Sequence, residues 1–195
     1  MRGLLPPPEG GFRDRLLEAM ADAVREHGFA ATTVGDVVAR ARTSRRTFYQ
    51  HFEDREACFL ALFDLVTGRL LELIAEAATG DAPWEARVDR ALGAYLGALA
   101  ADPELTRSCI QETRGLGQAG LARARAVDRR WAGMMVRLVD EARSHDPELR
   151  PLSPEAATVI TGGFRDLVIE TLDEGRDLTE LQPVAADLIR RIMSR

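Results

Sequence analysis

The chain has 195 residues, 46% of them hydrophobic, and a formal charge of −5. That length and apolar content support one large or two small domains whose core needs no disulfide or metal staple, and the acidic balance excludes a general polyanion binder. Two cysteines make no disulfide framework, so a reducing, cytoplasmic setting is expected, and no stretch approaches the ~20 apolar residues needed to span a bilayer.

Few aromatics, short β-branched runs and abundant Ala, Leu and Arg favour an all-α fold. All 26 basic residues are arginine, which we read as the codon bias of a GC-rich genome. Residues 1–11 (MRGLLPPPEGG) are rich in proline and glycine and read as a disordered tail, too short and too polar for a signal peptide. Arg2 is open to a second reading, a minor-groove arm. Residues 12–27 form the first helix, with Phe12, Leu16, Met20, Ala23 and Val24 in its stripe. Gly28 ends it and Phe29 closes a small core.

Thr33 is the expected N-cap of a short helix whose Val34, Val37, Val38 and Ala41 share one face. Residues 41–43 turn the chain, and Ser44 caps a second short helix, 45–51. Phe48 and Phe52 face inward together, while Arg45, Arg46, Tyr49 and Gln50 face outward. Arg40, Arg42, Arg45 and Arg46 fall between 40 and 51 with no acid among them. Two short helices around a tight turn, the second aromatic inside and basic outside, predict a helix-turn-helix that touches DNA.

Asp54 is the expected N-cap of a long helix running to about residue 78, striped by Leu60, Phe63, Val66 (or Leu65), Leu70, Leu73, Ile74 and Ala77. Residues 79–83 break the chain, 85–101 form another helix, and Asp102-Pro103 start a short one reaching 114. Gly115, Gly117 and Gly120 read as a flexible joint. They are not a phosphate loop, because no strand precedes them and no Gly-Lys-Ser/Thr follows. A long helix covers 121–144. Its arginines 123, 125, 129 and 130 are either an acidic-ligand site or a solvated face paired with Asp128, and the second is favoured. After a proline-rich loop, Ser153-Pro154 start a helix to 174, with Gly162 and Gly163 inside it and Gly175 as its stop. Two mid-helix glycines imply that a helix or ligand approaches closely there. Residues 181–193 form the last helix.

An enzyme would need a nucleophile with its base, a metal cluster or a cofactor loop. The three histidines, 27, 51 and 145, lie far apart without ligand spacing. No enzyme, metal or cofactor is therefore expected. Cys58 and Cys109 are read as small buried apolar residues in preference to a redox pair.

Residues 33–58 resemble the DNA-binding half of the tetracycline-repressor (TetR) family of transcriptional regulators. The carrying segment is Ser44-Arg45-Arg46-Thr47-Phe48-Tyr49-Gln50-His51-Phe52 followed by Asp54, Arg55, Glu56 and Ala57. One departure stands in the turn. Where the family has Ala-Gly-Val-Ser, this chain has Ala41-Arg42-Thr43-Ser44. Arg42 either accepts a positive φ at roughly 1 kcal/mol or the turn differs; it is also placed to add a phosphate contact.

The resemblance implies a three-helix DNA-binding domain over 12–53 and a larger helical ligand-binding and dimerisation domain over 54–195. Thr33, Tyr49, His51 and Arg55 would meet phosphates, with Arg42 and Ser44 beside them. Arg45, Arg46, Thr47 and Gln50 would read bases. For Arg55 a plainly solvated side chain is the rival reading. Ligand-lining candidates are Tyr95, Leu99, Cys109, Glu112, Trp131, Met134, Met135 and Phe164, with Trp84 also considered. Dimerisation candidates are Ile160, Gly163, Leu167, Val184, Leu188 and Ile192. The implied partners are a double-stranded DNA operator, a second copy of the chain and a small hydrophobic or amphipathic ligand; no membrane is involved. The implied function is a homodimeric repressor released from a palindromic operator by that ligand. The alternatives are a ligand-independent regulator or activator, or a helical protein-interaction module.

Overall fold

The computed structural model describes Leu5 and residues 10–194. The expected tail, including the Arg2 arm, lies outside the described residues apart from Leu5, Gly10 and Gly11. Among the described residues the chain is all helical, with no strand. The helices are α1 (Phe12–Ala31), α2 (Val34–Arg40), α3 (Arg45–His51), α4 (Arg55–Ala77), α5 (Trp84–Ala100), α6 (Pro103–Gln111), α7 (Gly117–His145), α8 (Pro154–Asp173) and α9 (Leu181–Met193). Single 3₁₀ turns, Thr113–Gly115 and Leu178–Glu180, precede α7 and α9.

Two compact units result. The first holds residues up to 69 together with 102–124; the second holds 70–101 and 125–195. The unit that carries the helix-turn-helix thus includes the first half of α4 and all of α6. Its core is built from Leu16, Leu17, Met20 and Val24 of α1, Val37 of α2, Phe48 of α3, Cys58, Phe59 and Leu62 of α4, and Leu105 of α6, all essentially inaccessible to water. The three short N-terminal helices alone are near the lower size limit for a stable core. Leaning on α4 and α6 supplies the missing apolar area.

The second unit has its own core. Ala132, Val139 and Ala142 of α7, Leu149 and Leu152 of the following loop, Ala157 of α8 and Met193 of α9 form one buried cluster. Polar ties orient its helices. Arg190 of α9 reaches both carboxylate oxygens of Asp89 on α5 at 2.6 Å, and Gln182 donates to the Asp89 carbonyl at 3.0 Å. Arg87 donates to the Ala78 carbonyl and to Glu141.

The expected caps form. Thr33 Oγ1 accepts from the Asp36 N–H while Asp36 accepts from the Thr33 N–H, a reciprocal capping box. Ser44 accepts from the Thr47 N–H, Asp54 from the Ala57 N–H at 2.7 Å, and Ser153 from the Ala156 N–H. Gly175 takes φ 67 beyond α8, where its N–H and that of Arg176 return to the carbonyls of Leu172 and Thr171.

Two expectations about glycines change. The run 115–120 is not a flexible joint: Gly115 ends the 3₁₀ turn and α7 already starts at Gly117. Gly120 sits inside α7, where an added Cβ would fall 2.0 Å from the Thr113 carbonyl oxygen. Close packing of two backbones, not mobility, requires glycine there. Around Gly163 an added Cβ would meet nothing among the described residues within 4 Å, and at Gly162 only Arg165 at 3.9 Å. The close approach that two mid-helix glycines imply is not made among the described residues.

The turn between α2 and α3 resolves the Arg42 question. Arg42 takes φ 49, the only positive φ at a non-glycine position among the described residues. Its N–H returns to the Ala39 carbonyl at 3.2 Å and the Thr43 N–H to the Val38 carbonyl at 3.0 Å. This pair of bonds is the Schellman pattern normally completed by glycine. Arg42 therefore adopts the family's turn and carries the left-handed strain. Arg42→Gly should raise unfolding stability by up to about 1 kcal/mol, measured by urea titration.

Candidate nucleic-acid interface

The surface presented by α3 follows from its length and its cap. Seven residues make barely two turns, so the helix is held by what it buries. Phe48 is fully enclosed and Phe52 nearly so, their ring centroids 5.7 Å apart. Tyr49 meets the edge of Phe48 at 5.4 Å yet stays 56% exposed. Burying residue 48 turns positions 45, 46, 49 and 50 outward, since a helix advances about 100° per residue. Arg45, Arg46, Tyr49, Gln50 and His51 are all exposed. Thr47 is half-buried, and its hydroxyl lies 3.0 Å from that of Ser44.

Electrostatics concentrate charge on that face. Arg40 is paired with Glu26 of α1, so its charge is largely neutralised. Arg42, Arg45 and Arg46 remain exposed around the turn and the first turn of α3. The guanidinium of Arg45 lies over the start of α2, 3.5 Å from the position a Cβ on Gly35 would occupy. The acid in the first turn of α2, Asp36, is turned into the capping box. Its hydrogen bonds from the Thr33 hydroxyl and N–H hold its carboxyl below the usual range.

Arg55 departs from the phosphate role expected of it. Its Nη1 donates to the carbonyls of Phe29, Ala30 and Thr32 at 3.2, 3.2 and 2.6 Å, and its guanidinium lies 4.3 Å from the Phe29 ring centre. Those carbonyls end α1, where a cation is favoured both by the unsatisfied oxygens and by the helix dipole. Arg55 is thus a clasp between the end of α1 and the start of α4.

These features define a basic surface on a helical unit, with a seven-residue helix after a tight turn. Residues 16–62 match the family model described as bacterial regulatory proteins, tetR family. These residues are a DNA-binding domain of the tetR family. The match gives the helix-turn-helix of this segment the character of a regulator's DNA-binding element.

Solved structures agree in fold. The chain is similar to the fatty acid degradation regulator FadR from Bacillus halodurans, with TM-score 0.81, 20% identity, and coverage of 94% of this chain and 96% of that one. It is similar to the transcriptional regulator FadR from Bacillus subtilis, solved in complex with stearoyl-CoA, with TM-score 0.78, 18% identity, and 92% and 98% coverage. A bacterial regulatory protein of the tetR family from Rhodococcus RHA1 gives TM-score 0.72, 18% identity, and 95% and 98% coverage. No curated protein matches the chain in sequence.

The expected ligand-lining residues divide between the two units. In the second, Tyr95 meets the edge of Trp131 at 5.1 Å and Phe164 at 5.8 Å. Burial raises the Tyr95 phenol above its ordinary pKa, and Asp128 adds to the rise while Arg165 opposes it. Asp128 pairs with Arg165 at 3.2 Å. Met135 packs beside the buried cluster, receiving the Thr161 hydroxyl at 3.7 Å from its sulfur, and Trp84 packs there too. Leu99 and Met134 are buried.

Cys109 and Glu112 belong instead to the first unit, on and just after α6. Glu112 accepts the Phe29 N–H at 3.3 Å. Cys58 and Cys109 are both buried, which pushes each thiol up to about 12. Asp102 and Glu112 add to that rise at Cys109. Both therefore stay protonated at neutral pH, as small apolar residues do.

Of the expected dimerisation residues, Val184 and Leu188 are exposed at 61% and 47%, and Gly163 is exposed. Leu167 is half-buried. Ile160 and Ile192 pack against the core of their own unit, because the stripe that buries Ala157 and Met193 carries them inward. Sequence reasoning passed over Val159, 75% exposed on α8. Its signal was available: 159 and 163 are four apart and share a face.

Arg45→Ala should weaken binding to the cognate site by about 1–3 kcal/mol and relax base preference at the position it reads, as seen in competition against mutated sites. Arg55→Ala should instead lower unfolding stability by roughly 1.5–3 kcal/mol, with DNA affinity falling equally on specific and random sequence.

Proposed function

We propose that this regulator is a homodimeric repressor that a small hydrophobic or amphipathic molecule releases from a palindromic operator. The supporting observation is exposed apolar surface on both α8 and α9. Val159 on α8 and Val184 and Leu188 on α9 stand exposed, and Gly163 on α8 has open space around it. Isolated apolar side chains on a surface are ordinary, but three on two consecutive helices, with a mid-helix glycine on one of those helices, suit a two-fold helix-to-helix interface. Such symmetry is also needed by the DNA reader. One short recognition helix spans too few base pairs, whereas a two-fold dimer reads half-sites in successive major grooves.

In this reading, residues 12–53 carry the DNA contacts and 54–195 carry ligand binding and dimerisation, in the cytoplasm. Arg45, Arg46, Thr47 and Gln50 read bases. Thr33, Arg42, Ser44, Tyr49 and His51 position the protein on phosphates. Tyr95, Trp131 and Phe164, with Met135 nearby, are the aromatic wall against which an apolar ligand packs. That one protein of like fold was solved with stearoyl-CoA is consistent with a long apolar ligand. Ligand favours a conformer whose recognition helices no longer fit the operator, and by linkage DNA weakens ligand binding by the same factor.

Selection of bound sequences from a random DNA pool tests the DNA half. A palindrome with two half-sites is expected, and sequence-blind binding alone would refute the operator reading. Val184→Asp and Leu188→Asp test the dimer. Each should yield a monomer by light scattering and lower operator affinity by at least about tenfold, while a variant that remains dimeric assigns the interface elsewhere. Among the described residues no helix is long and apolar enough to cross a membrane.

A further inference from the structure

We infer that Glu112 is a positioning residue for operator binding: its carboxylate holds the end of α1, and through it the helix-turn-helix, in the DNA-competent arrangement. The inference rests on the DNA-binding reading and adds a residue remote from the DNA surface.

The reason lies in the break of α1. Gly28 takes φ 76 and ψ 164 inside the helix, which interrupts the ladder and frees the N–H groups that follow. The first of these, on Phe29, donates to Glu112 Oε1 at 3.3 Å. A carboxylate acceptor makes this stronger than a neutral bond. The break is also where the first unit is tied together. Thr32 donates its hydroxyl to the Gly28 carbonyl at 2.8 Å. The Phe29 ring stacks on Phe59 of α4, centroids 4.2 Å apart, beneath the Arg55 guanidinium. Thr33, four residues past Phe29, is already the N-cap of α2. The direction in which α2 and then α3 leave α1 is therefore set within the segment whose leading N–H Glu112 holds.

A second tie constrains the same pair of helices. One turn before the break, Arg25 places Nε and Nη2 on Asp102 Oδ2 at 2.9 and 2.7 Å. Asp102 is the residue preceding α6 and Glu112 the one following it. The two acids thus grip α1 from opposite ends of one nine-residue helix. If α6 slides or rotates against α1, at least one grip is lost. Arg25–Asp102 lies upstream of the break and orients α1 itself. Of the two acids, Glu112 is the one that acts downstream of it, on the segment that leads to the recognition helix.

The test uses the full chain, the operator that the wild type selects from a random pool, and two substitutions. Glu112→Ala removes the acceptor; Glu112→Gln keeps an oxygen that accepts the same N–H. Glu112→Ala should bind the operator about tenfold more weakly, with an unchanged order of base preference, because Arg45 and Arg46 are untouched. Glu112→Gln should stay within about threefold of wild type. In free protein, hydrogen exchange at the Phe29 amide should accelerate in Glu112→Ala and remain slow in Glu112→Gln. Wild-type affinity in Glu112→Ala, or equal losses in both variants, would overturn the inference. Should Glu112→Ala fail to fold, Phe29 exchange in Glu112→Gln decides: retained protection supports the tie and lost protection refutes it. A wild-type chain that selects no operator would defeat the operator reading instead, and the exchange result on free protein would still judge the tie.

Discussion

A helix of seven residues is not stable by itself in water, because nucleation consumes most of what its few hydrogen bonds return. The DNA-facing helix here has that length, so everything it presents depends on one buried ring. Phe48 is fully enclosed, and its burial determines both that α3 exists and which way its arginines point. The Ser44 cap adds a local contribution, but the orientation is a packing decision. The strained turn at Arg42 is tolerated for the same reason. The core on either side of it prescribes where the chain must reverse, and a penalty of roughly 1–2 kcal/mol is small against the apolar area that the correct reversal buries.

Charge is organised by subtraction as much as by accumulation. The chain is acidic overall, yet its basic window stays available because the neighbouring acids are engaged elsewhere. Asp36 is turned into a capping box. Glu26 neutralises Arg40 at the flank and leaves Arg42, Arg45 and Arg46 as the exposed cations. A field of this kind favours approach of DNA to one face and disfavours it over the rest of the surface. Exposed ion pairs elsewhere, such as Arg191 with Asp187, contribute little to stability and serve mainly to keep the helices soluble.

The first compact unit owes its integrity to a single irregular point. At Gly28 the regular ladder of α1 stops, and three side chains from other segments converge on the residues that follow: Arg55 on carbonyls, Glu112 on an N–H, and Phe59 on the Phe29 ring. An uninterrupted helix would not offer the Phe29 N–H. The positive φ that only glycine adopts readily is what exposes that group, and it explains why α4 and α6 belong to the same unit as the DNA reader.

The all-helical class, the positions of the helices, the caps at Thr33, Ser44, Asp54 and Ser153, and the inward pair Phe48 and Phe52 were legible in the sequence. Each rests on interactions between residues within about four positions, or on a periodicity that needs no knowledge of the partner. The family of the DNA-binding segment was legible for a similar reason, since its signature occupies one continuous segment. Tertiary structure alone decided the rest. Arg55 looked like a phosphate ligand until the end of α1 was seen beneath it. Glu112 looked like part of a pocket until Phe29, 83 positions away, was seen to donate to it. Gly120 looked flexible until the Thr113 carbonyl filled the space over it. Ile160 and Ile192 turned out to pack partly against the core of their own unit, while Val159 was left outside. In each case the residue type announced a capacity, a donor, an acceptor, a small volume or an apolar surface. Which partner met that capacity was set by contacts between segments distant in the chain, and no local pattern encodes those.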